Sequence, residues 1–205
     1  MPETFLPGVE NPAAAGGQYA ATIQKLRAAG QTVPGIMHLL AFKPKVTDLL
    51  NQFTQEVLRG SSPLSPAFRE LIITVTSEGN ECAYSRDVHA QAAAVLFEAE
   101  GRVKKGKGQT FVAGVLEGDA DLTNAEWDLL EFVVQVNLNA QEVDPSDIRK
   151  LHKAGWTDEA IYDAITVCAL SNFYNRWVGA TGLEWADEQS SLASGARIAQ
   201  RGYIP

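Results

Sequence analysis

The sequence predicts an all-α protein. Three observations carry that prediction. Between breakers the apolar residues recur at three- and four-residue spacing rather than alternating. Several segments open with helix-start grammar, in which Ser65, Thr123, Asp144 and Thr157 precede runs of helical pattern and proline follows directly at Pro66 and Pro145. The strongest strand candidate, LIITVT at Leu71 to Thr76, sits inside one of these capped segments, so a buried helix is the better reading of its β-branched run.

Taken in order, residues 1 to about 17 hold three prolines and little pattern and predict an irregular arm, followed by a short helix from about Gln18 to Ala29. Pro34 and Pro44 each stand where a helix begins, because the first helical position leaves an N–H unpaired in any case. From Pro44 onward, Val46, Leu49, Leu50, Phe53, Val57 and Leu58 fall on one face, and Gly60 ends the run. A capped helix follows from Ser65 to about Glu78, and after the Gly79–Asn80 break an alanine-dense helix from about Glu81 to Glu100. Further helices are expected at about Gln109 to Leu116, Asn124 to Leu138, Pro145 to Lys153 and Asp158 to Ala180. The tail from about Asp187 to Pro205 is small and polar and is expected to cover a neighbouring subunit. Trp127, Trp156, Trp177 and Trp185 are expected in the core and at a subunit interface. A weak internal echo, Leu64-Ser65-Pro66-Ala67 with Leu71 against Leu122-Thr123-Asn124-Ala125 with Leu129, suggests a two-half design.

With 205 residues, 45% of them hydrophobic and 20% charged, the chain can bury one substantial core, and 1–205 reads as a single domain. A net charge of −8 repels phosphate backbones and anionic surfaces, so no nucleic-acid and no membrane partner is expected. The basic run at Arg102 to Gly108 reads as a solvated loop. No apolar stretch is long enough to span a bilayer and the N-terminus has no leader-like pattern, which predicts a cytoplasmic location. Two cysteines, Cys82 and Cys168, cannot make a disulfide framework.

The chemistry concentrates in ECAYSRDVH, Glu81 to His89. Cys82, Ser85 and His89 are spaced i, i+3 and i+7, which brings them within about 60° on a helix surface. In a first helical turn Cys82 would be stabilised as a thiolate by unpaired N–H groups and the helix dipole. His89 is the natural proton carrier near neutral pH, with Ser85 between them to relay a hydrogen bond. The bland alternative is a cysteine and a histidine that merely pack. A metal site is not expected, since His38, His89 and His152 are scattered and no second ligand lies within a turn of Cys82.

Glu70 widens the constellation to E-x11-C-x2-S-x3-H. This resembles the E-x11-C-x2-C-x3-H signature of the alkylhydroperoxidase D and carboxymuconolactone decarboxylase family. The text VPGIMHLLAFKPKV, RELIITVTSEGNECAYS and LHKAGWTDEAIYDAITVCALSNFYNR is similar to the family's peroxidase-related branch, over roughly Val33 to Glu184. The resemblance implies an AhpD-like helical bundle assembled as a homo-oligomer, a trimer or hexamer, that reduces small hydroperoxides at the expense of a thiol reductant or reductase protein. No metal, haem or flavin cofactor is implied. Carried over by position, Glu70 and His89 form the proton relay and Cys82 is the first thiol, while Ser85 stands where the second cysteine belongs. A hydroxyl cannot be oxidised to a sulfenate, so the two-thiol cycle cannot run inside this motif.

Cys82 alone with an external thiol, Cys82 with Cys168 as resolving partner, and loss of peroxidase activity all stay open. So does a lyase of the decarboxylase type, in which Glu70 and His89 do acid–base work on a small carboxylate held by Arg176 or Arg86, and so does an inactive helical oligomer. Tyr84, Arg86, His38 and Arg176 are further candidates for the substrate pocket. Asn175 is expected to tie its helix to the rest of the fold by hydrogen bonds.

Overall fold

The structure is a computed structural model and describes residues 4–11, 15–183 and 188–204. Among these residues the only regular elements are helical, and ten are α-helices: α1 Gly17–Ala28, α2 Gly35–Phe42, α3 Pro44–Arg59, α4 Pro66–Gly79, α5 Ala83–Ala99, α6 Gly108–Glu117, α7 Asn124–Asn139, α8 Pro145–Lys153, α9 Asp158–Thr181 and α10 Glu188–Arg201. Short 3-10 turns lie at Pro7–Val9 and Ala140–Glu142. Trp185, expected in the core and at a subunit interface, and the Glu184 end of the family-like text fall outside the described residues.

The caps form as their residue types dictate. Ser65 Oγ accepts from Phe68 N at 3.2 Å, Thr123 forms a reciprocal box with Glu126, and Thr157 Oγ1 accepts from Ala160 N at 3.2 Å. Pro44, Pro66 and Pro145 occupy first helical positions, whereas Pro34 stays outside α2 with extended ψ and offers its carbonyl to Met37 N at 2.9 Å. LIITVT is helical, and burial explains why: Leu71, Ile72 and Thr74 are wholly enclosed in α4. That helix is the centre of the bundle, packed by α5, α7 and α9. Leu71 and Ile72 meet Leu129 and Val133 of α7 and Ala164 and Val167 of α9 in one continuous core.

Two segments depart from the sequence expectation. The apolar face of α3 points outward: Val46, Leu49 and Phe53 are 65%, 66% and 51% exposed, while Thr47, Asn51, Thr54 and Leu58 face inward. The inner polar groups are held locally, with Thr47 Oγ1 donating to Leu40 O at 2.6 Å and Thr54 Oγ1 bonding to Leu50 O at 2.8 Å. The polar tail, for which no helix was expected, forms one over Glu188–Arg201 and packs on α5 of its own chain. Ser191, Ser194, Gly195 and Ile198 make its buried stripe, and Gly195 lies so near α5 that a Cβ there would meet Val88 O at 2.4 Å. Small residues on α10 and the alanines of α5 let the two backbones approach closely enough to bring the chain end into the interior.

Trp127 and Trp156 pack against the main core, and Trp177 against clusters formed with α2. The stretch at Arg102 to Gly108 is a turn leading into α6, with Arg102 paired to Glu126 at 3.0 Å. Among the described residues no helix is long and apolar enough to cross a membrane.

Candidate active site

Glu70 lies one turn into α4 and is fully buried, a position that a carboxylate holds only when its oxygens are all engaged. They are. Oε2 accepts from His89 Nδ1 at 2.6 Å; Oε1 accepts from Arg59 Nη2 at 2.5 Å and from Tyr203 Oη at 2.7 Å. Burial by itself would push the Glu70 carboxyl up, but the charges and hydrogen bonds of His89 and Arg59, with the Tyr203 hydroxyl, outweigh it and hold the group below the ordinary carboxylate range. Burial likewise works against the Arg59 charge, and Glu70 and Tyr203 more than offset it. The Arg59 guanidinium also sits over the Tyr203 ring, 5.2 Å from its centroid.

An ionised carboxylate only accepts, so the proton on His89 is fixed at Nδ1 and Nε2 is left to act on a substrate. His89 lines a cavity of about 90 Å³, as do Ser85, Tyr84, Tyr174 and Tyr203, with an apolar wall that includes Met37, Leu40, Leu58 and Ile73. That space holds a small organic molecule of several heavy atoms.

Ser85 is 5% exposed and belongs to a buried polar cluster: Ser77 Oγ is 3.0 Å from Ser85 Oγ, donates to Asn175 Oδ1 at 3.1 Å, and lies 3.3 Å from Ser171 Oγ. Asn175 thus ties α9 to α4 near the site. The turn into α5 depends on Glu81, whose φ of 54° is unusual for a residue with a side chain. Through it Cys82 N returns to Ser77 O at 2.9 Å and Cys82 becomes the N-cap of α5.

The thiol does not meet the expectation of a depressed pKa. Cys82 is half-buried against the cluster of Val9, Leu39, Val178 and Leu183, and burial pushes its thiol up despite the Ser85 N–H and the Arg86 charge that pull it down. Neither is it part of the cavity lining that contains Ser85 and His89.

The other candidates fall in different places. Tyr84 lines the cavity, its buried hydroxyl accepting from Ile36 N at 3.1 Å. Arg86 is outside the lining and pairs with Glu78 at 3.0 Å and Asp87 at 2.8 Å. His38 is buried on α2, also outside the lining, and burial, aided by Arg27, lowers its pKa. Arg176 is exposed and turns back on Asn172 of its own helix. Cys168 is enclosed in the main core, 3.8 Å from Val133 O, and both cysteines are free thiols. Among the described residues no group of three or more His, Cys, Asp or Glu could hold a metal ion.

Arg59 and Tyr203 are site residues that the sequence pattern does not announce. Tyr203 reaches Glu70 because Gly202, at φ 71°, turns the chain after α10 and packs where a Cβ would strike Gln55 Oε1 at 2.5 Å. Gln55 Oε1 then accepts from Tyr203 N at 2.8 Å, and Tyr203 O accepts from Tyr19 Oη at 3.2 Å.

Residues 44–99, which contain Arg59, Glu70, Cys82, Ser85 and His89, match the model of the carboxymuconolactone decarboxylase family. No curated protein matches the chain. Among solved structures, the chain is similar to an alkylhydroperoxidase AhpD core, a peroxidase-related protein from Ralstonia eutropha JMP134, with 23% identity, a TM-score of 0.75 and 95% of this chain covered against 97% of that one. A peroxidase-related protein from Silicibacter sp. TM1040 aligns at 22% identity and a TM-score of 0.67, over 82% of this chain and 87% of that one. The debrominase Bmp8, in a variant complexed with 2,3,4-tribromopyrrole, aligns at 16% identity and a TM-score of 0.61, over 91% and 98%. At these identities the neighbours establish the AhpD-like fold.

Proposed function

We propose that the protein, whose residues 44–99 match the carboxymuconolactone decarboxylase family model and whose chain has the AhpD-like fold, is a peroxidase-related oxidoreductase using one thiol. The observation that carries this reading is the Glu70–His89 pair, a fully buried carboxylate bonded at 2.6 Å to an imidazole that faces a small apolar cavity. In the proposed reaction His89 Nε2 takes the proton of the Cys82 thiol, which approaches from outside the cavity lining, as a hydroperoxide enters. The sulfur attacks the outer peroxide oxygen, the O–O bond breaks, and His89 returns the proton to the departing alkoxide. Cys82 is left as a sulfenic acid. A first equivalent of external thiol condenses with it, releasing water, and a second restores Cys82 while leaving as the oxidised disulfide. Ser85 serves as a hydrogen-bonding wall residue. A homo-oligomer joined through the apolar face of α3 belongs to the same proposal, because three large side chains exposed in a row are otherwise unsupported.

A second reading has one specific observation in its favour: Ser85 and His89 share the cavity lining and Cys82 does not. Under it the Glu70–His89 pair performs acid–base chemistry of the lyase kind without sulfur. Peroxide consumption with an excess thiol reductant separates the two. Thiol-dependent turnover that is abolished by C82A and by H89Q, and raised by S85C, supports the oxidoreductase. Turnover unchanged in C82A, or absent from the wild type and restored only by S85C, removes it.

A further inference from the structure

Two donors on the cavity wall have no acceptor among the described residues. Asn51, on the inner face of α3, is 2% exposed and its Nδ2 has no hydrogen-bond partner among the described residues. Arg197, on α10, lines the same cavity; its Nε is buried and unpartnered, and its guanidinium forms no ion pair among the described residues. Leaving buried polar donors unsatisfied costs stability, so two such donors on the lining of one cavity call for an acceptor that enters it.

The neighbouring polar groups are already committed. The Tyr174 and Thr54 hydroxyls bond to each other at 2.8 Å, the Tyr19 hydroxyl donates to Tyr203 O, and Tyr203 donates to Glu70. No carboxylate stands in the lining: Glu70 is spent on Arg59, His89 and Tyr203, and Asp48, whose charge reaches Tyr19 as that of Arg197 does and whose buried Oδ1 is likewise unpartnered, is outside the lining and makes no ion pair with Arg197. The cavity lining thus holds a guanidinium with no ion pair among the described residues and an unpartnered amide N–H, two kinds of donor that a carboxylate can satisfy with its two oxygens.

We propose that Asn51 and Arg197 form a carboxylate subsite and that the ligand is a short-chain monocarboxylate. Its carboxylate rests on these two side chains, and its apolar body lies along Met37, Leu40, Leu58 and Ile73 toward Ser85 and His89. The inference rests on the proposed function for the identity of the reacting end and narrows the substrate to a hydroperoxide carrying a terminal carboxylate. Asn51 lies inside the family-matching segment and Arg197 outside it, so the charged half of the subsite comes from the C-terminal helix.

Binding of an unreactive probe tests the subsite separately from the reaction. Isothermal titration calorimetry is run with hexanoate, hexanamide and 1-hexanol on the wild-type full chain. Hexanoate is expected to bind at least about tenfold more tightly than the other two, the scale of one charge-assisted hydrogen bond. R197Q should erase that preference, R197K should keep part of it, and N51L should weaken hexanoate alone. Equal affinity for hexanoate and hexanamide, no binding of hexanoate by folded wild type, or an undiminished preference in R197Q each overturns the subsite. A wild type that prefers hexanoate yet consumes no peroxide sinks the proposed reaction and leaves the subsite standing.

Discussion

Replacing Glu70 with glutamine preserves the shape of the residue and removes its charge at the point where three other side chains depend on it. Arg59, His89 and Tyr203 all donate to the carboxylate, at 2.5, 2.6 and 2.7 Å. An amide has one acceptor oxygen, so its NH2 must face either the Arg59 and Tyr203 donors or His89 Nδ1. In the first case two donors oppose a donor and a largely buried guanidinium is left uncompensated. In the second the histidine must exchange tautomers and present Nε2–H to the cavity, which reverses its acid–base sense. Removing one partner of a buried ion pair costs about 3–5 kcal/mol, and E70Q is expected to lose that much at pH 7. The pH dependence has a definite sign. Because the folded Glu70 pKa is depressed, its contribution is complete above the unfolded carboxyl value of about 4.3 and is lost as pH falls through the folded value. The wild-type advantage should therefore shrink on acidification below that point. Urea unfolding followed by far-UV circular dichroism at pH 7 and at a series of acidic values measures both effects. A loss under about 1 kcal/mol at pH 7, the range of an exposed pair, would refute the reasoning, as would a gap that does not change with pH.

Two further outcomes are expected. Alkylation of Cys82 by iodoacetamide requires the thiolate, and since burial raises the thiol, the rate should climb to its plateau only above the ordinary cysteine value of about 8.5; a midpoint near 7 or below contradicts the half-buried placement. Charging the outer face of α3 with L49E and F53E should convert an oligomer to a monomer by multi-angle light scattering while leaving the far-UV spectrum unchanged. A wild type that is already monomeric rules out that face as the subunit contact.

Much of the helical framework was legible because helix starts are local. Ser65, Thr123, Asp144 and Thr157 cap the helices that they were expected to cap, and Pro66 and Pro145 open theirs. Pro34 did not, because its extended ψ keeps it just outside α2. The i, i+3, i+7 spacing of Cys82, Ser85 and His89 identified the segment that carries the site, but the same spacing could not say which of them reaches the cavity. Only Ser85 and His89 do, since Cys82 sits at the cap, where the helix has not yet begun to turn.

By itself, then, the sequence determined the helical class, the position of most caps and the Glu70–His89 pattern, all consequences of contacts among residues close in the chain or of a pattern within twenty positions. Tertiary structure decided which face of α3 is inside, why a polar tail is a packed helix, that Arg59 and Tyr203 meet at Glu70, and that Tyr203, Asn51 and Arg197 line one cavity. The physical reason is that burial is a property of the assembled bundle. A stripe of valine, leucine and phenylalanine states that a face prefers to leave water, not whether its own chain or another one covers it, and no local rule joins Tyr203 to Glu70 across 133 positions.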